Sequence, residues 1–206
     1  MSHFRSDIRQ RCVDVIALYP QVRSAMLPLL HLAQEQDGYL SDEGIAEVAE
    51  LTNTTAADVR GTASFYDMFH LEPVGKYVVS ICTNIACLLA GGEELLEHAE
   101  RTLGCAVGGS SDDGLFTLEE AECLADCDIA PCVQVNHRYV RSATSDSFDA
   151  MVEELRGGQL DHDVPSHGTL VRVRRSVGLR APREEVVAQR AKAREARAER
   201  TPKEEK

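Results

Sequence analysis

The sequence predicts an α+β protein, a bundle of helices followed by a domain that mixes strands and helices. Three observations predict it. Apolar residues recur at helical spacing through the first seventy or so positions, the period shifts to that of strands after Pro73-Val74-Gly75, and six of the seven cysteines fall between positions 82 and 132. At 206 residues, 43% apolar and 27% charged, the chain can bury a core without disulfide support. The expected organisation is a helical bundle over residues 1–73, a sheet-containing domain over 74–161 and a basic, mobile tail over 162–206.

Ile8, Cys12, Val15 and Ile16 mark the first helix, which Tyr19-Pro20 ends because a residue before proline avoids the α region. Met26, Leu27, Leu29, Leu30, Leu32 and Ala33 mark the second, closed by Asp37-Gly38, with Pro28 tolerated only in its first turn. Ser41, followed by Asp42 and Glu43, caps a third helix whose buried stripe is Ile45, Val48, Ala49 and Leu51. Thr55 and Asp58 open a fourth in the same way. It leads into ASFYDMF, where Phe65, Tyr66, Met68 and Phe69 read as core or interface packing.

The second domain begins with KYVVSI, a buried strand that runs into Cys82. Gly91-Gly92 precede an amphipathic helix stopped by Gly104, and CAVG after it reads as a second strand. LFTLEEAEC and CVQVNHRYV supply further strands, the latter a hairpin turning at Asn136-His137, and SDSFDAMVEELRGG closes the domain as a helix capped by Ser145 or Ser147 and stopped by Gly157. Strand, helix, strand, antiparallel hairpin, helix is the order of a thioredoxin-like sandwich.

Charge and hydropathy exclude several functions. Residues 172–206 hold 12 Lys/Arg against 6 Glu, whereas the remainder holds 10 basic against 28 acidic residues, a balance that does not suit the body to phosphate backbones; no nucleic-acid partner is expected. The longest uncharged stretch, Tyr77 to Gly92, is sixteen residues and too polar to span a bilayer. The basic N-terminus is followed by no apolar segment of export type, so a reducing, cytoplasmic setting is expected. Neither Gly91-Gly92 nor Gly108-Gly109 has the spacing of a dinucleotide-binding turn.

The cysteines carry the chemistry. Cys82 and Cys87 have four residues between them and follow a strand; Cys123 and Cys127 have three between them and follow another. Two thiol pairs at strand ends suit a cluster that needs four converging thiolates and loops whose N–H groups face its sulfides. Two ferric ions, two sulfides and four thiolates sum to −2, or −3 when reduced, a charge that demands backbone donors. Zinc also accepts four thiolates, but its structural knuckles mostly space them C-x2-C, which neither pair does. A dithiol oxidoreductase would want C-x-x-C at a helix start, and the chain has none. Cys12 and Cys105 stand alone and read as packing residues; Cys132, five residues after Cys127 and next to Pro131, is surplus to the four.

YPQVRSAMLPLLHLAQEQDGYLS, ASFYDMF, PVGKYVVSICTNIAC and ECLADCDIAPCVQVN, in this order, resemble the small thioredoxin-like 2Fe-2S subunit of respiratory NADH:quinone oxidoreductase over roughly residues 10–160. The resemblance implies an N-terminal helical bundle followed by a thioredoxin-like 2Fe-2S ferredoxin domain, with one 2Fe-2S cluster held by Cys82, Cys87, Cys123 and Cys127. It further implies a flavoprotein partner that binds FMN and NADH, other subunits of the peripheral arm, and a place on the inner face of the cell membrane reached only through the complex. Asp126 and Asp128 beside the last ligand, Cys132 and the basic tail depart from that family's pattern. The diaphorase small subunit of an NAD-linked formate dehydrogenase or hydrogenase uses the same parts and stays open as an alternative. A zinc-stabilised adaptor is the alternative of another class.

Overall fold

The structure, a computed structural model, describes residues 2–141, 143–164, 166–168 and the backbone of Ser176–Leu179. Most of the expected basic tail lies outside the described residues. Two compact units are present, one built on residues 2–77 with 166–168, the other on 78–164 with Ser176–Leu179.

The first unit is helical: α1 (Ser6–Ile16), a 3-10 turn at Val22–Ala25, α2 (Met26–Asp37), α3 (Asp42–Thr52) and α4 (Ala56–Ala63). Ile8, Cys12, Leu29, Leu30, Val48 and Val59 are fully buried in its core, so each apolar stripe read from the sequence faces inward. The helix ends are those the sequence signals. Gly38, at φ +80°, ends α2; the Ser41 hydroxyl accepts from Gly44 N at 3.1 Å; Thr55 and Asp58 form a reciprocal capping box. Buried Glu47 ties the chain start down by accepting from Phe4 N at 2.8 Å, from the Ser2 hydroxyl and from Arg9. ASFYDMF divides: Phe69 is in the core, while Phe65 is 80% exposed and meets Tyr66 edge-on.

The second unit is a five-stranded sheet with helices. Its elements are β1 (Tyr77–Cys82), the short α5 (Ile85–Leu88), α6 (Gly92–Leu103), β2 (Phe116–Ala121), a 3-10 turn at Cys127–Ile129, β3 (Cys132–Val135), β4 (Arg138–Arg141), α7 (Ser145–Arg156) and β5 (Ser176–Leu179). The strand order is β2-β1-β3-β4-β5. β1 and β3 are antiparallel, with Val79 opposite Val135 and Ile81 opposite Val133; β3 and β4 form the expected hairpin, turning at Asn136 and His137, both at positive φ. β5 pairs parallel with β4, in a segment where the sequence signals no strand.

Alternation along these strands gives the sheet two unlike faces. Val79, Ile81, Val133, Val135 and Val140 share one face and are all buried. The α6 and α7 helices pack on each other, α6 meets β2, and the Arg156 guanidinium of α7 lies 5.0 Å from the Phe116 ring centroid on β2. Val78, Ser80 and Cys82 of β1, Cys132 and Gln134 of β3, and Tyr139 of β4 share the opposite face, which is mixed and bears the sulfurs.

Two sequence expectations are corrected. CAVG is not a strand: Gly104 (φ +73°) just before it and Gly108 (φ +79°), its last residue, turn the chain, and the ladder bridge nearby is made by Ser110, opposite Thr117. The cap of α7 is Thr144 rather than Ser145 or Ser147; its hydroxyl accepts from Ser147 N, and Ser147 reciprocates as the N3 residue. Among the described residues no helix is long and apolar enough to cross a membrane.

Candidate metal centre

The first cysteine loop grows directly out of β1. Cys82 is its last residue, 2% exposed, and one turn of helix carries the chain to Cys87, 1% exposed. Asn84 starts that turn, its carbonyl oxygen accepting from Leu88 N at 2.8 Å, and α5 then directs Cys87 inward while Ile85 and Leu89, at i and i+4, stay exposed. Thr83 ties the loop to β2, its N–H donating to Ala121 O at 3.2 Å and its hydroxyl to Glu120 Oε1 at 2.6 Å. Gly92 closes it. A Cβ at this position would lie 2.7 Å from the Cys82 carbonyl oxygen and 2.9 Å from that of Cys87, so the first turn of α6 packs against the loop only because no side chain intervenes.

The second loop leaves β2 at Ala121. Cys123 and Cys127 are both exposed, and between them Ala125 takes a left-handed conformation at φ +56°, uncommon for a residue with a Cβ. Cys127 opens the 3-10 turn, a cis Ala130–Pro131 bond follows, and Cys132 begins β3. Two contacts reach this loop from the sheet: the Cys82 thiol approaches Glu122 O at 3.8 Å, and the Tyr139 hydroxyl donates to Leu124 O at 2.8 Å.

The structure therefore draws the two loops to one end of the sheet. Cys82, Cys87, Cys132 and Ala130 form one buried cluster, with Ala90, Leu124 and Tyr139 packed on it. Burial first, then a hydrogen bond with the Cys82 thiol, pushes the Cys87 thiol up to about 12. The Cys127 thiol is also raised, by burial and then by the neighbouring Cys123 and Cys82 sulfurs. Cys132 is raised by burial, then by Asp126, Cys87, Cys82 and Cys127. Four of the five thiols at this end thus sense one another, and Cys123 joins them through Cys127. Cys12 lies in the core of the helical unit and Cys105 in the turn after α6, so neither is part of the assembly.

The donor set fits a binuclear iron–sulfur group. It is all sulfur, and it comes as two pairs on two loops, which matches a cluster that takes two thiolates per iron. The raised thiols would be deprotonated on metal binding, the metal charge supplying what solvent does not. Sequence reasoning singled out both pairs; it missed Gly92 as a packing requirement and Tyr139 as a partner of the second loop. The first had a legible signal, a Gly-Gly pair ahead of a helix. The second had none, because a side-chain bond across strands leaves no local pattern.

A small sheet with packed helices and two thiol-bearing loops at one end defines an iron–sulfur carrier of thioredoxin-like build. The chain matches the thioredoxin-like [2Fe-2S] ferredoxin family over residues 12–156, and it belongs to that family. Among curated relatives, NADH-quinone oxidoreductase subunit 2 of Thermus thermophilus is 38% identical over 159 residues, covering 76% of this chain and 88% of the relative. A subunit of NADH-quinone oxidoreductase from Rhizobium meliloti is 38% identical over 152 residues, covering 74% and 90%. Another, from Mycobacterium tuberculosis, is 40% identical over 143 residues, but this chain spans only 57% of its length. Among solved structures, an NAD+-reducing [NiFe]-hydrogenase superposes with a TM-score of 0.61 at 23% identity, over 68% of this chain and 24% of that one, a likeness of fold. These findings bear out an α+β chain with an N-terminal helical region and a thioredoxin-like 2Fe-2S domain.

Proposed function

We propose that this chain is an electron-transfer subunit of NADH:quinone oxidoreductase, with Cys82, Cys87, Cys123 and Cys127 holding one 2Fe-2S cluster. In this role it exchanges single electrons with the FMN of a partner flavoprotein subunit, which also binds NADH, and sits at the inner face of the cell membrane only through the assembled peripheral arm. The observation that supports this most is the meeting of two thiol pairs at one end of a sheet in a chain whose relatives carry that complex's name. When bound, the cluster supplies one-electron storage. The chain's own residues set its surroundings. Cys82 and Cys87 bury one side of the site, Gly92 brings the first turn of α6 against their carbonyls, and exposed Cys123 and Cys127 leave the other side near the surface, where electrons enter and leave.

The test is iron and acid-labile sulfide analysis of the purified full chain, with its visible spectrum, on wild type and on single Cys→Ser variants. Wild type is expected to be brown, with two irons and two sulfides per chain. Replacing Cys82, Cys87, Cys123 or Cys127 is expected to lose or strongly destabilise the cluster, whereas Cys12→Ser and Cys105→Ser retain it. A colourless wild type that binds zinc alone would replace this reading with that of a structural adaptor. A Cys123 variant with an unchanged spectrum would sink the ligand set.

A further inference from the structure

We infer that Tyr139 is a positioning residue for the second thiol pair, which it holds in place through the main chain between the two sulfurs. This rests on the reading that Cys123 and Cys127 are ligands. Tyr139 stands on β4, on the sheet face that also carries Cys82 and Cys132, and its ring packs on the buried cysteine cluster. Its hydroxyl donates to the carbonyl oxygen of Leu124 at 2.8 Å. Leu124 is flanked by Cys123 and by Ala125, whose left-handed conformation turns the chain back toward Cys127. Shifting the Leu124 peptide therefore shifts both sulfurs.

The geometry suits a support better than a ligand or a proton carrier. The phenol meets a peptide oxygen rather than a thiol, and the bond runs from a strand paired on both sides to a loop that carries two exposed cysteines. A rigid element thus fixes an irregular one, which is how a binding site obtains its shape. The first thiol pair does not need this device, because β1, α5 and the close approach of Gly92 already hold it.

Tyr139→Phe keeps the ring and its packing and removes only the donor. Two measurements on the full chain test it. In the metal-free chain, hydrogen–deuterium exchange should rise by about fivefold in peptides covering residues 122–128 and stay unchanged in β1, β3 and the helical unit, the change that loss of one net hydrogen bond gives to local opening. In the iron-loaded chain, the variant should release iron to a chelator faster, by a similar factor, and its midpoint potential and electron paramagnetic resonance line positions should move while the thermal midpoint by circular dichroism does not. Unchanged exchange in the 122–128 peptides, or exchange that rises uniformly over the whole chain, would overturn the inference. Iron release, potential and line positions identical to wild type would overturn it as well. A wild type without iron would overturn the proposed function but leave the exchange measurement decisive for Tyr139.

Discussion

Asp126 and Asp128 flank Cys127 with the same charge, yet the structure separates them. Asp126 is half-buried and acts on Cys127 and Cys132, while Asp128 is exposed. Each reduction adds a negative charge to the cluster, so a nearby carboxylate opposes it; at ~7 Å and an effective dielectric of ~20 the Coulomb energy is about 2 kcal/mol, on the order of 100 mV, falling to tens of millivolts where solvent screens it. Asp126→Asn is expected to raise the midpoint potential in a redox titration, and by more than Asp128→Asn does; equal or downward shifts would contradict this. Cys12 gives stability a pH dependence. Burial, then the charge of Glu47, pushes its thiol from 9.0 up to about 11. The folded chain therefore holds the proton longer than the unfolded one. This contribution to stability is fully present below pH 9 and declines by about 1.4 kcal/mol per pH unit as pH rises toward 11. Denaturant unfolding of wild type and Cys12→Ser at pH 8 and pH 10.5 should show the wild type losing more stability across that interval. Its burial was legible from the spacing of Ile8, Cys12 and Val15, whereas the role of Glu47 was not, since that carboxylate is gathered up by residues some forty positions away.

The elements legible in the sequence are those set by neighbours in the chain. Gly38, Ser41 and the Thr55–Asp58 box bound their helices where local hydrogen bonding requires, and Asn136-His137 turns the hairpin because both residues tolerate positive φ. CAVG misleads because one Val among small residues resembles a short strand, while the deciding facts are two glycines whose positive φ breaks the extended run. The turn of helix inside the first thiol loop and β5 escaped notice for a similar reason: four residues carry too little periodicity to separate helix from strand. Gly92 is where an element's position depends on one missing methyl group. Gly92→Ala must move either α6 or the carbonyls of Cys82 and Cys87, at a cost of ~1–3 kcal/mol. The expected result is a lower thermal midpoint together with reduced iron content, and a variant with wild-type values of both would show that the loop has slack.

Over the whole molecule, the charge asymmetry and the cysteine clustering indicated which part carries chemistry, and that part is where the thiols gather. The basic segment contributes at least β5, whose backbone pairs with the outer side of β4. Deleting residues 180–206, which leaves β5 in place, is expected to preserve iron and sulfide content and the thermal midpoint; loss of iron would assign the tail a part in holding the site.

The two-faced sheet makes β1 sensitive to length more than to composition. Val79 and Ile81 lie on the buried apolar face, so exchanging them for other branched apolar residues leaves Cys82 facing its partners. A single inserted or deleted residue between Tyr77 and Cys82 would instead turn the thiol into the apolar core and bring a valine or isoleucine to the sulfur-bearing side. Related chains should therefore drift freely in the identity of the residues leading to this cysteine while keeping their number fixed.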